Sequence, residues 1–478
     1  MKVEFLPEPE LEFGTGRHID IRFGLMHHGP LDRLKQTAPK QIRIGVIGTA
    51  ESLEGVQTWL NRCRNGVAAK NSNQPNLFPR FPGFGENTNL PADIIIDSQL
   101  QRAIRQQEID KLITSFKSSK LVEEAVQILL NEMQTLSEKS TADVFVSAVP
   151  MDLLNAMRGE DVSEDEAGRQ QNPKVDFHHL LKAKAMNLRK PIQIILPMTY
   201  DDTKRLRQKR KKENVKNLQD EATRAWNIYT ALYYKTGGTP WRLVQDPSAF
   251  TVCYIGVSFY KSLNESKMMT STAQVFNERG EGVILRGGAA IISKEDRQPR
   301  LQKSDACKLL MDALKAYKGE HHNLPARIVL VKTSTFNADE LEGFREALDS
   351  YHIESIDFVS VRDSFTRLFR YGEYPTLRGT LLNLDDQCHV LYTRGAVDFY
   401  RTYPGMYIPR PFGFRCEETE QTPRFLGQEI LGLTKMNWNN TQFDNDDPII
   451  IKAARNVGNI LKYLAEDDPI ERRYSFYM

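Results

Sequence analysis

The sequence predicts an α/β protein built of two successive units, and three observations carry that prediction. Short β-branched runs alternate with amphipathic helical stretches over the first half. Three strand-like runs then follow one another with only short polar turns between them, and strand–helix alternation resumes after them. At 478 residues the chain is too long for one hydrophobic core, which fits two units of ordinary size.

Residues 1–40 are rich in Pro and Gly and lack a sustained period, so they read as an N-terminal linker, an extended lead-in wrapped on a neighbour. IRIGVIGT (42–49) is a strand, followed by SLEGVQTWLNRC, whose Leu53, Val56, Trp59 and Leu60 share one helical face. Residues 65–92 are a loop by composition. ADIIIDS, ADVFVSAVP (142–150) and PIQIILP (191–197) are further strands, and LVEEAVQILLNEMQTL (121–136) is a helix. The alternation implies a mostly parallel, helix-covered sheet. QDEATRAWNIYTALYYK (219–235) is a helix stopped by Gly237 and Gly238, and a boundary near residue 240 divides the chain into 41–240 and 241–478. The second unit opens with the strands TVCYIGVSFY (251–260), STAQVFN and GVILRGGAAIIS. A helix (SDACKLLMDALKAYKG), the strand RIVLVKTS, a second helix (ADELEGFREALDSY) and the strand IDFVSVR follow. A late strand pair, GTLLNLD and HVLYTRG, precedes a final helix over 446–466, entered through acids and Pro448. Antiparallel strands first and β-α alternation afterwards is the order of a ribonuclease-H-like domain.

Composition narrows the function. With 40% hydrophobic and 26% charged residues the chain is an ordinary globular protein. No apolar stretch approaches the ~18 residues of a membrane span. Four glutamates in MKVEFLPEPELEF argue against an N-terminal signal core, and five scattered cysteines without a C-x-x-C pair argue against a disulfide framework or zinc ribbon, so a reducing cytoplasm is expected. The net charge of +2 gives no global sign of nucleic-acid binding, yet KRLRQKRKKENVK (204–216) packs eight basic residues against one acid. Most such runs are solvated helix faces, but this one follows the strand PIQIILP, where an open parallel sheet binds ligands.

Tyr200 and Lys204 are four residues apart and share a face if a helix begins near Asp201, so both can reach one anion. Lys235 closes the next helix, whose start near Gln219 offers free N–H groups to a phosphate. A helix of that length spans about 24 Å, so Gln219 and Lys235 meet at one phosphate only if it is broken. Taken alone, Lys235 reads as a cation at a helix C-terminus. No G-x-x-x-x-G-K-S/T or strand-following G-x-G-x-x-G occurs, which disfavours a metabolic enzyme on two nucleotide-binding domains. The adjacent pairs His27-His28, His178-His179 and His321-His322 lack metal-ligand spacing and read as surface residues. RLFRYGEYP (367–375) interleaves aromatics with arginines, as base-stacking surfaces do and as ordinary loops also do.

The path from ILPMTYDDTK to LYYKTGG resembles the 5′-phosphate pocket of the MID domain of Argonaute proteins. IGVSFYKS, AQVFNERGEG, RIVLVKTSTF, YPTLRGT, YTRG and LTKMNWNNTQF resemble the PIWI domain of short prokaryotic Argonautes, which lack N and PAZ domains. The resemblance covers nearly the whole chain, from EPELEFG to the terminal FYM. It implies a Rossmann-like MID domain (41–240) followed by a ribonuclease-H-like PIWI domain (241–478). It implies a guide-phosphate site of Tyr200, Lys204, a glutamine and Lys235, with Gln208 and Gln219 both available and Gln219 preferred. It further implies that the Met478 carboxylate joins that site through a divalent cation, Mg²⁺.

Ribonuclease-H-type cleavage needs several converging carboxylates, because two divalent cations ~3.5–4 Å apart repel without a negative cage. Where the family's slicing members carry the first acid, after Ile-Gly-x, this sequence has Ser258. Lys332 and Thr333 stand at the second position and Ala454 near the last. The resemblance therefore implies a guide-binding protein that does not cut. An RNA guide would pair with single-stranded target DNA, and a partner carrying an APAZ region and a TIR or sirtuin-like NAD-hydrolysing effector would act in defence against plasmids and phage. The rivals are an active nuclease recruiting Asp444, Asp446 and Asp447, acids that more simply cap the final helix, and a nuclease effector in the partner.

Overall fold

The structure, a computed structural model, describes residues 1–158, 175–201, 203, 219–245, 248, 250–276, 282–373, 375–405 and 408–478. Two sheets organise the chain. In the first, Gln41–Thr49 is central. Asp93–Ile95 and Gln101–Ile104 pair along one edge, Val144–Ala148 along the other, and Ile192–Ile195 beyond that, all parallel. The helix Ala50–Arg64 starts where Thr49 accepts the Ser52 N–H, and it buries Leu53, Val56, Trp59, Leu60 and Cys63.

The second sheet has ten strands. Val252–Lys261, Met268–Phe276 and Gly282–Ile292 form an antiparallel meander. Arg327–Lys332 and Ser355–Asp363 then add in parallel on the other side of Val252–Lys261. Phe412–Glu418, Cys388–Leu391, Thr380–Asn383 and Lys2–Phe5 continue the sheet antiparallel. The final helix, Ile449–Leu461, lies directly on the central strand because residue 256 is glycine: a Cβ there would sit 2.2 Å from the Ile450 carbonyl oxygen. This is a Rossmann-like sheet followed by a ribonuclease-H-like sheet.

The first forty residues, expected as a linker, are built into both units. Lys2–Phe5 is the edge strand of the larger sheet, Leu11–Glu12 pairs with Arg17–His18 and with Arg242–Leu243, and Ile21–His28 is a helix capped by Asp20. Lys2–Phe5 and Leu11–Glu12 pair with strands hundreds of residues away, and the local elements are too short for a period to announce them. The helices Gln106–Ser115, Phe177–Ala185 and Pro423–Leu433 and the strand Phe412–Glu418 were likewise not read from the sequence. The final helix stops at Leu461, short of the expected 466, and no side chain caps its start. Asp444, Asp446 and Asp447 face arginines instead: Arg394 reaches Asp444 at 3.4 Å and Asp446 at 3.3 Å, and Arg455 pairs with Asp447.

A buried ionic node fixes the N-terminal segment. Glu8 lies 3.0 Å from Arg378 Nε and 2.7 Å from Lys435 Nζ, and both cationic side chains are fully buried. Lys435 also donates to the carbonyls of Pro9 (2.8 Å) and Ile19 (2.6 Å), and Arg378 to Leu431 O and Thr434 Oγ1. Burial favours the neutral Glu8 carboxyl, but its two cations outweigh that and hold its pKa below the ordinary value. Replacing Glu8 by Ala leaves two buried cations unpaired, and denaturant unfolding is expected to register a loss of about 3–5 kcal/mol. The wild-type contribution is present above the ordinary glutamate pKa and is lost as pH falls through the depressed value, so the mutant's deficit should shrink in acid.

Candidate nucleic-acid interface

Elements of both sheets meet at a seam formed by the helices Phe177–Ala185, Glu221–Lys235 and Ile449–Leu461 and the C-terminal turn Tyr474–Phe476. Asp220 caps the second of these helices by accepting the Thr223 N–H. In its first turns Arg224 donates to the carbonyls of Met198 and Thr199, and at its last residue Lys235 donates to Ile192 O (3.0 Å) and Gln193 Oε1 (2.6 Å). The helix therefore runs back along the strand Ile192–Ile195, from its carboxyl end to its amino end.

That direction separates the expected phosphate ligands. Tyr200 is buried just past the carboxyl end of the strand, its ring packed flat on the backbone at Gly55, where a Cβ would lie 2.6 Å from the ring. Gln219 is exposed before the helix and accepts from Asn227 Nδ2 at 2.9 Å. Lys235 sits at the far end of an unbroken 15-residue helix, about 22 Å from its start. Gln219 and Lys235 consequently cannot hold one phosphate together. Lys204, Gln208 and the basic run lie outside the described residues.

The C-terminal segment comes to the Lys235 end. Tyr474 packs on Tyr234 with ring centroids 6.1 Å apart, and the buried Met478 side chain receives Asn456 Nδ2 at 3.3 Å through its sulfur. A cavity of about 970 Å³ opens beside it, lined among others by Lys235, Gly237, Arg286, Lys308, Trp438 and Arg472. Lys182, in the Phe177–Ala185 helix, was not singled out from the sequence. It is 5% exposed, makes no hydrogen bond among the described residues, and stands close enough to Lys235 for their charges to repel. Burial brings its pKa down to about 7, against the partial support of Asp176, and burial first, then Lys182, pushes Lys235 well below its ordinary value. A lysine within HHLLKAKA looks like any solvated helix residue, so only its neighbours reveal it.

The three positions tied to cleavage do converge. Ser271 Oγ donates to the carbonyls of Ser258 (3.3 Å) and Ala454 (2.8 Å), and the Thr333 N–H donates to Val257 O at 3.0 Å. A cavity of about 530 Å³ lies over Ser258 and Thr333. Its charged lining among the described residues is Lys261, Arg455 and Lys462 against the single carboxylate of Glu265. Lys332 turns away from it and is sealed in the core, both oxygens of Glu340 lying 2.6 Å from its Nζ. Burial, only partly offset by Glu340, lowers the Lys332 pKa to about 8.

The architecture finds its counterparts among solved structures. Clostridium butyricum Argonaute, in a structure bound to a guide DNA and a 19-mer target DNA, superposes with a TM-score of 0.68 at 15% identity, over 100% of this chain and 55% of that one. The chain has the Argonaute fold. A. aeolicus Argonaute follows with a TM-score of 0.61 at 13% identity, over 98% of this chain and 54% of that one. Drosophila Piwi matches at 0.55 and 12%, over 99% and 56%. The chain thus spans a little over half the length of these Argonaute chains. No protein-family model matches it, and neither does any curated protein sequence. In these terms the smaller sheet is MID-like and the larger PIWI-like, and no described helix is long and apolar enough to cross a membrane.

Proposed function

We propose that the chain binds a 5′-phosphorylated guide, an RNA, pairs it with complementary single-stranded DNA, and does not cut the target. The observation that carries this reading is the match of the entire chain to Argonautes, one of them holding guide and target. Base pairing would supply specificity and the protein would contact mainly backbone. Lys235, at the seam, would supply a cation for the guide phosphate, and the family resemblance implies Tyr200 and Lys204 as further ligands. The family resemblance implies that the C-terminal carboxylate of Met478 would be an oxygen ligand for Mg²⁺, a cation that prefers oxygen donors.

The absence of cleavage that we propose is supported by the cavity over Ser258 and Thr333, where, among the described lining residues, one carboxylate faces three cations and would repel divalent metals. The acids that a rival nuclease reading would recruit are paired with Arg394 and Arg455. With no cutting of its own, the chain would act by signalling to an APAZ-bearing partner whose TIR or sirtuin-like domain depletes NAD in defence against plasmids and phage. This follows from the family resemblance, as does the cytoplasmic setting.

Three measurements test the reading. Lys204→Ala combined with Lys235→Met should weaken a 5′-phosphorylated guide at least about tenfold more than a 5′-hydroxyl guide, since the lost bonds are charge-assisted ones to that phosphate. Equal losses would remove the phosphate assignment. The guide-loaded chain given matched DNA and Mg²⁺ or Mn²⁺ should leave the target intact on a denaturing gel, and cuts opposite the guide would refute inactivity. Co-expressed with the product of its neighbouring gene, the chain should co-elute on size exclusion, with NAD consumed only when guide and target match.

A further inference from the structure

Among the described residues, one place brings three metal-ligating side chains together. Asp176, His178 and His179 each offer a donor atom, and the three atoms lie within 4.8 Å of one another. The sequence shows only an adjacent histidine pair without metal-ligand spacing, and the fold adds what that spacing lacks. Asp176 is the N-cap of the helix Phe177–Ala185, and its carboxylate turns back over the first turn to accept the His179 N–H at 2.8 Å. The same turn sets the carboxylate beside the His179 ring, with Oδ1 3.0 Å from Nδ1. Nδ1 is nonetheless a buried nitrogen without a hydrogen-bond partner among the described residues, because the contact lies off its donor direction.

We propose that Asp176, His178 and His179 form a binding site for a zinc ion at the seam between the two units. Zn²⁺ takes imidazole nitrogen and carboxylate oxygen at about 2.0–2.2 Å, so adjacent donors on one ion stand about 3.0–3.4 Å apart. That is the separation already set between Asp176 and His179. The His178 ring, exposed and edge-on to the His179 ring with centroids 5.5 Å apart, has room to turn onto the third position. Two imidazoles and a carboxylate leave the remaining positions to water, the donor set of an open zinc site. Magnesium takes oxygen ligands and is not served by this set, so the site differs in residues and in chemistry from the Mg²⁺ expected at the Met478 carboxylate.

The position gives the ion a structural task. The Asp176 N–H donates to the Tyr463 hydroxyl at 2.8 Å, just beyond the helix Ile449–Leu461, and the Phe177–Ala185 helix packs on that final helix. An ion held by the first turn therefore fixes a helix of the smaller unit at the point where it meets the larger one. Because it binds the folded chain and not the unfolded one, stability rises with the ion concentration. One charge opposes the ion. Lys182 lies one turn further along the same helix, on the face of His178 and His179, and is buried. Its ammonium repels a dication, so removing it should tighten the site.

The test uses the full chain, stripped of metal by a chelator that is then removed, with zinc chloride as the probe and no guide present. Calorimetry should show one zinc ion bound per chain, and the melting temperature should rise with zinc but not with magnesium at the same concentration. His178→Ala combined with His179→Ala should weaken zinc binding at least about tenfold. Asp176→Asn keeps the helix cap, since asparagine caps as well as aspartate, and removes the anionic ligand. It should weaken zinc by a similar factor while melting with the wild type when no metal is added. Lys182→Met should bind zinc more tightly. Failure of the wild type to bind zinc would overturn the proposal, as would an equal rise in melting temperature with magnesium. Zinc held as tightly by the histidine double variant as by the wild type would also overturn it, because the ion then sits on other residues. Should the double variant fail to fold, Asp176→Asn decides: an unchanged zinc affinity overturns the site and a tenfold loss supports it.

Discussion

The buried carboxylate of Glu8 is the constraint on which the PIWI-like unit depends. It is the anion for both Arg378 and Lys435, two fully buried cations that between them hold the carbonyls of Pro9, Ile19, Leu431 and Thr393. Removing Glu8 leaves two cations in a low-dielectric interior without their anion, so the node depends on that carboxylate. Through this node the N-terminal segment, the turns around Arg378 and Thr393 and the stretch after Leu433 become one object. The Trp241 N–H bonded to Lys435 O at 3.0 Å carries the same order to the junction of the two units.

Two lysine sites in this protein separate structural from ligand-seeking charge. Lys332 is enclosed with Glu340, whose carboxylate also accepts the N–H groups of Leu301 and Asn337, so strand, loop and helix close around a neutral pair. Lys182 and Lys235 make no ion pair among the described residues, and Asp176, whose charge supports Lys182, accepts the His179 N–H. Over Ser258 and Thr333 the balance is again positive, which suits a nucleic-acid backbone and repels metal ions.

Much of the fold was legible because its central strands are continuous β-branched runs and its long helices have clear apolar faces. The run 42–49 and the strand Arg327–Lys332 lie where the pattern put them. The N-terminal strands, the Phe177–Ala185 helix and the Phe412–Glu418 strand escaped because they are short and their partners are remote. In the candidate site, Ser258, Thr333 and Ala454 were readable as a set because each occupies a recognisable strand or helix motif. The residues expected at a phosphate were less so: linear order places Gln219, Lys235 and Tyr200 in one path, but says nothing about which end of a helix meets which end of a strand.

The sequence by itself determined the central strands and the long amphipathic helices, the lack of a carboxylate at Ser258, Thr333 and Ala454, and the identity of the charges available to a polyanion. These follow from residue type and period, which are local. Tertiary structure alone decided that Glu8 serves two cations from distant segments, that Tyr200 and Lys235 lie toward opposite ends of one strand, and that Lys182 faces Lys235 without a partner. Each of these depends on burial and on approach in space between groups far apart in the chain, and electrostatic energy depends on both while sequence separation records neither.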